Sequence, residues 1–299
     1  RELVRSRGLG DVYKRQHLFN TNEILGSMIL SLHNINFYQE LMSHIRINIK
    51  NGTFLKFYKK YINLGGEIFH KHAYKSFDVK KCRVTFENNQ TYSINHLVGC
   101  DGIRSSIRDL FFTSNQDPKY SGYSAWRGIG RSNLKSVNFA LGPGSHVVSY
   151  PVNKKGDVSF VAVKKEDYQF KESWREGGLL KDLFKDFSLY DSNIFPKMEE
   201  SMPLYKWGIY IRPPLNSMIA KNITLLGDAA HPMVPFLGQG ACMAIEDAYS
   251  FALACKKNIN DLSKAQKIYN FVRNKRTIKI QRLSKIQGKI YHLKNLKKL

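Results

Sequence analysis

The stretch LLGDAAHPMVPFLGQG, residues 225–240, restricts the fold of this chain more than any other segment. Residues 222–226 read as a buried strand that stops at Gly227 and Asp228. With no side chain at Gly227, a ligand can approach the backbone there. Asp228, at the carboxyl end of the strand, offers a carboxylate to hydroxyl groups such as those of a ribose. Pro232 and Pro235 stiffen the loop and withhold N–H donors. Gly238, Gln239 and Gly240 then bare backbone N–H groups where a helix starts, a place that favours negative charge. A strand, a stiff loop and a helix in this order specify an α/β sheet with its ligand at the carboxyl ends of the strands.

A second stretch repeats the logic. In LVGCDGIRSSIR, residues 97–108, a strand ends at Asp101 and Gly102 and a helix is expected over 103–111. Its spacing predicts Arg104 and Arg108 one turn apart on one face.

Together these stretches resemble the FAD-dependent aromatic hydroxylases, the para-hydroxybenzoate and salicylate hydroxylase group. The first is similar to that family's second flavin motif, GDAAHP then P..GQG, with the acid pair Glu246 and Asp247 on the following helix. The second is similar to its DG motif. The resemblance implies that Gly227 and Asp228 meet the ribitol or ribose region of FAD. It also implies that Pro235, Gly238, Gln239 and Gly240 face the isoalloxazine, and that Asp101, Gly102, Arg104 and Arg108 contact FAD and the nicotinamide nucleotide. YSGYSAWRG (120–128) and LGPGSHVVSYP (141–151) look like substrate-domain strands of the salicylate branch. Strand alternation puts His146, Val148 and Tyr150 on one face, so imidazole and phenol are expected in one cavity. His146 and Tyr150 are the candidate catalytic pair, the imidazole taking a phenol proton near neutral pH. Residues 269–293 resemble the family's closing helix, which extends the expected likeness over nearly everything after residue 17.

The expected fold class is α/β: a glutathione-reductase-like FAD-binding domain interrupted by a mostly β substrate domain. Residues 17–119 are assigned to a partial FAD-binding domain, 120–212 to the substrate domain, and 213–299 to the rest of the FAD-binding domain. Strands are expected at 67–74, 78–87, 90–100, 120–130, 136–141, 146–152, 158–164, 205–211 and 221–226. Helices are expected at 53–62, 103–111, 179–187, 191–200, 240–255 and 261–293, with strand material over 17–50. The family opens with a GxGxxG turn in a first βαβ unit, and no such turn occurs here. The chain is therefore expected to be an N-terminally truncated fragment, binding FAD weakly and inactive alone. Asn51 is aligned with an Arg that contacts flavin in the family. Residues 1–16 are read as a sequencing artefact, because one back-translation of DVYKRQ resembles a transposon end used in library preparation.

The formal charge of +23 invites a nucleic-acid reading, but its distribution argues against one. Residues 256–299 hold fourteen Lys or Arg against the single acid Asp261, and elsewhere the excess is thin. A solvated basic face is the expectation, with no nucleic-acid partner and no transmembrane segment. The four cysteines form no CxxC pair and no metal spacing, which suits a cytoplasmic protein without a metal. The resemblance implies a monooxygenase that uses FAD, NAD(P)H and O2 to hydroxylate a small phenolic or N-heteroaromatic substrate, carboxylated in the simplest case. Oxygen would be delivered from a flavin C4a-hydroperoxide, and a homodimer is a candidate assembly. The alternatives are a flavin epoxidase or quinone-pathway hydroxylase on the same scaffold, or a non-catalytic basic binding module. Ala241, Cys242 and Met243 after GQG depart from the Asn-Leu pattern of the quinone branch.

Overall fold

A computed structural model describes residues 47, 51–52, 65–112, 117–168, 177–199 and 202–293. The expected helix at 53–62 and most of the expected strand material over 17–50 lie outside these. The exception is Ile47, which is helical and whose carbonyl accepts from the Asn51 N–H at 2.9 Å. The chain divides into two compact units, Arg1–Asn95 and His96–Leu299.

In the first unit, β1 (Tyr74–Asp78), β2 (Arg83–Phe86) and β3 (Thr91–Ser93) form an antiparallel sheet in that order. The turn at Asn88 and Asn89 falls where expected, with Asn89 in the left-handed region at φ 62°. The strand expected over 78–87 is interrupted, because the Asp78 carboxylate accepts from the Lys80 and Lys81 N–H groups at 3.0 and 3.1 Å. Such an Asx turn offers the backbone an alternative to the ladder. Residues 67–73 are not strand, and a turn at His70 and Lys71 takes their place.

The second unit contains two sheets. In the smaller, β4 (Leu97–Gly99) runs parallel to β11 (Ile223–Leu225), and β10 (Ile219–Ala220) pairs antiparallel with β11. Leu225 registers with Gly99, so two stretches some 125 residues apart in sequence emerge side by side. The larger sheet is antiparallel, ordered β6-β7-β8-β5-β9. Its strands are β5 (Lys119–Arg131), β6 (Asn138–Gly142), β7 (Ser145–Pro151), β8 (Asp157–Lys165) and β9 (Leu204–Ile211). Alternation along β5 splits the core. Trp126 faces Phe160, Leu183 and Phe187, while its neighbour Ala125 faces Val163, Trp207 and Phe236. The first cluster seats α2 (Leu180–Asp186), whose Leu183 is fully buried and contributes about 1.5–3 kcal/mol.

Further elements of the unit are helices and 3-10 turns, the latter including Gly227–Ala229 and Pro235–Leu237. Helix α1 (Ser106–Phe111) starts later than expected because Ser105 caps it, its Oγ accepting from the Arg108 N–H at 3.0 Å. The helix expected over 191–200 is only a 3-10 turn, Ser192–Ile194. Pro196 explains this, since a proline drives the residue before it out of the α region. Helices α3 (Gly240–Lys257) and α4 (Leu262–Tyr291) pack on one another and match their expected spans closely. Among the described residues no helix is long and apolar enough to cross a membrane.

Candidate active site

The parallel pair β4 and β11 delivers both sequence motifs to one cleft. The Leu226 N–H donates to the Gly99 carbonyl at 3.0 Å, which holds the two strand ends together. Beyond them opens a cleft of about 760 Å³, within the range of small-molecule sites. Gly102, Gly227, Asp228, Pro235, Gly238 and Gly240 line it on the α/β side. Arg127, Tyr150, Val161, Trp207 and Ile209 line it from the antiparallel sheet. Arg127 and Asp228 are the two charged residues in an otherwise mostly apolar wall.

The glycines divide into two kinds. At Gly102, Gly238 and Gly240 an added Cβ would meet no atom within 4 Å, so their backbones face open space in the cleft. Gly227 shares a positive φ, +60°, with Gly102 and Gly238 at +80° and +62°, but an added Cβ there would lie 3.2 Å from Ala244 Cβ. Its left-handed turn and the close approach of α3 thus also call for glycine, beside the access it gives to the cleft.

Helix α3 begins at Gly240 with no side-chain cap and no acid in its first turn. Its leading N–H groups and partial positive charge are thus left for a ligand in the cleft. The carboxylate of Asp228 accepts no hydrogen bond among the described residues. Burial raises its pKa, and the nearby His231 pulls the other way. An apolar wall, three bare glycine backbones, an uncapped helix start and one carboxylate suit a flat, electron-rich ring with a hydroxylated tail.

Beneath the loop lies a buried ion network that the sequence pattern did not reveal. The Asp247 carboxylate accepts from the Gly227 N–H at 2.9 Å and from Arg273 Nε at 2.8 Å, and lies 2.5 Å from His231 Nε2. Arg273 also pairs with Glu246, and Arg276 Nε reaches Glu246 at 2.8 Å. Burial pushes the Asp247 pKa up, but His231, Arg273 and the Gly227 N–H together bring it below the ordinary carboxylate value.

Several of the candidate cofactor residues do not line the cleft. Arg108 is fully buried and turned away from the cleft, its guanidinium donating to Ala230 O at 2.9 Å and Pro213 O at 2.6 Å. Burial, then Arg212, lowers its pKa to about 10. Arg104 precedes α1, because the Ser105 cap delays the helix, so it does not share a helical face with Arg108. It stands over the ring of Tyr210, itself a wall of the cleft, at 5.7 Å. Asp101 is exposed, and Gln239 sits between two cleft glycines without lining the cleft.

His146 and Tyr150 are also separated. Tyr150 lines the cleft. His146 lies further back on β7, buried between Phe236, Tyr291 and His292, with Nδ1 2.7 Å from His292 Nε2. Burial and then His292 push its pKa down to about 3. So placed, the ring is a neutral hydrogen-bonding group that does not line the cleft. Arg127 and His292 were not singled out from sequence. Alternation along β5 carried a signal for Arg127, a cation between Ala125 and Ile129 on one face.

Fold and site together define a cofactor cleft at the carboxyl ends of a parallel strand pair, faced by an antiparallel sheet. Residues 58–268, well over half of the chain, match the FAD binding domain family, and the chain belongs to it, among the FAD-dependent aromatic hydroxylases. It is 30% identical over 235 residues to 3-hydroxybenzoate 6-hydroxylase 2 of Aquipseudomonas alcaligenes, covering 74% of this chain and 71% of that one. It is 35% identical over 190 residues to a chloroplastic zeaxanthin epoxidase of Nicotiana plumbaginifolia, covering 61% of this chain and 28% of that one. A salicylate hydroxylase substrate complex superposes with a TM-score of 0.65 at 22% identity, over 76% of this chain and 62% of that one, a likeness of fold. The chain spans 59% and 52% of the lengths of two further hydroxybenzoate hydroxylases.

Residues 13–65 match a different family, queuine tRNA-ribosyltransferase. The match to the FAD binding domain starts at residue 58. Asn51 lies outside that match.

Proposed function

We propose that the cleft holds the isoalloxazine end of FAD and that the protein hydroxylates a small anionic aromatic substrate in the cytoplasm. One observation carries this reading. The uncapped start of α3 and the bare backbones of Gly238 and Gly240 face the same space as Asp228 and the inner face of the antiparallel sheet. Bound FAD would supply reduction by NAD(P)H and activation of O2. The protein supplies the rest. N–H groups ahead of Ala241 favour negative charge on the ring, and Asp228 accepts from hydroxyl groups of the tail. Gly102 gives close access to the backbone at the end of β4.

For the substrate, Arg127 is the cation that an aromatic carboxylate would meet between apolar walls, where a charge-assisted hydrogen bond is strong. Tyr150 presents a phenol that can hydrogen-bond a ring hydroxyl. His146, neutral and tied to His292, fixes the sheet behind it. An epoxidase acting on an uncharged isoprenoid would have no use for Arg127, which favours the hydroxylase reading.

The test is a FAD titration of the chain, followed by NAD(P)H and a panel of hydroxybenzoates with oxygen uptake recorded. Weak but saturable flavin quenching is expected and, against the inactivity that the missing GxGxxG turn implies, substrate-stimulated uptake. If flavin quenching does not saturate, or is the same in Gly240→Leu, the cleft is not a flavin site. If FAD binds but no hydroxybenzoate raises oxygen uptake, the hydroxylase reading falls and the flavin site stands.

A further inference from the structure

Helix α4 wears its amphipathic pattern inside out. The side facing the protein carries Gln266, Arg273, Asn274, Thr277 and Gln281, all buried and hydrogen-bonded, together with Tyr269. Apolar residues stand on the outside. Ile268, Phe271, Val272, Leu283 and Ile286 are 39, 80, 53, 39 and 50% exposed. Lys264, Lys267, Lys275, Arg282, Lys285 and Lys289 are exposed among them. At about 100° per residue, these eleven positions fall within one face of the helix. No Asp or Glu occurs anywhere in Leu262–Tyr291. A surface helix normally buries its apolar stripe, and an exposed one marks an interaction site.

We propose that this face docks the protein on a bilayer surface rich in anionic lipid. Phe271, Val272 and Ile268 enter the boundary between headgroups and acyl chains, and the six cations meet lipid phosphates, as an interfacial helix does. The charge pattern selects this partner over two others. A second copy offering the same face would set cations against cations. A nucleic acid would match the cations but leave Phe271 and Ile286 without an apolar partner. The inference does not depend on the flavin reading, since no residue of this face lines the cleft.

The test is co-sedimentation of the full chain with vesicles of mixed phosphatidylglycerol and phosphatidylcholine, with phosphatidylcholine alone, and retention on a duplex oligonucleotide. The variants are Phe271→Ser with Ile286→Ser, and Lys264→Gln with Lys267→Gln and Lys275→Gln. All sit at exposed positions, and circular dichroism checks their helix content. Binding to the mixed vesicles is expected, with little to phosphatidylcholine, and each variant should weaken it about ten-fold or more. Three results overturn the proposal: no sedimentation with the anionic vesicles, duplex binding that survives the serine substitutions while vesicle binding does not depend on them, or a lipid-free dimer that those substitutions dissolve.

Discussion

Gly227 donates its N–H to the carboxylate of Asp247, 2.9 Å away, while its missing side chain leaves room for Ala244 of the same helix. One residue thus sets both the polar and the steric contact between the cleft loop and α3. Gly227→Ala must take up a left-handed φ of 60° against a neighbour at 3.2 Å. A destabilisation of about 1–2 kcal/mol is expected, read as a lower urea midpoint at unchanged slope, together with weaker flavin binding.

Asp247→Asn tests the network from the other side. It removes one of the two carboxylates that pair with the buried Arg273 and the acceptor beside His231 and the Gly227 N–H, a change that costs about 1–3 kcal/mol. The lowered pKa values of Asp247 and Glu246 add a pH dependence. Their contribution is complete above their ordinary values of 3.8 and 4.5 and is lost as pH falls through the lower folded values. Acid unfolding below about pH 4 should therefore be steeper in the parent chain than in Asp247→Asn, by circular dichroism at stepped pH.

The histidine pair acts in a higher pH window. His146 and His292 have pKa values pushed down, chiefly by burial, to about 3 and about 4. Below 6.5 the unfolded chain takes protons that the folded one refuses, so this stability is complete above 6.5 and drains as pH falls. Burial lowers His96 as well, with the same sign. Urea midpoints measured from pH 8 downwards should decline below 6.5, and His292→Leu should flatten the decline.

Gly240→Leu separates stability from binding. An added Cβ there meets nothing within 4 Å, and leucine is the better helix former by roughly 0.5–1 kcal/mol. The melting temperature should hold or rise. The side chain would nevertheless project into the cleft, and flavin quenching should be lost.

Arg127→Met keeps the length of the stem and removes the charge. Aromatic carboxylates should bind about ten- to a hundred-fold more weakly, while FAD affinity stays the same. Equal loss of both ligands would place the cation on the cofactor instead.

The parallel pair and its two loops were legible because short-range pattern dictates them: an apolar strand, a Gly-Asp or Asp-Gly end, then a helix. Long alternating strands were legible for the same reason, and β5, β7 and β8 fall within a residue or so of their expected limits. Long-range partners were not. The resemblance implies that Arg108 contacts the cofactor, and only the fold reveals carbonyls of residues 213 and 230 waiting for it. His146 and Tyr150 share a strand face in both readings, but a face is longer than a site. Phe236, pressed against Gly288, fills the end nearest the imidazole.

The inward side of α4 grips its neighbours largely by their main chain. Gln266, Tyr269, Asn274 and Gln281 donate to carbonyls of residues 223, 225, 215 and 232. Oily contacts tolerate sliding, whereas directional bonds to fixed carbonyls do not. A slip of one residue would turn the helix by about 100° and break all four at once. The rod therefore has a single seating, and the loops at the cleft inherit their positions from it.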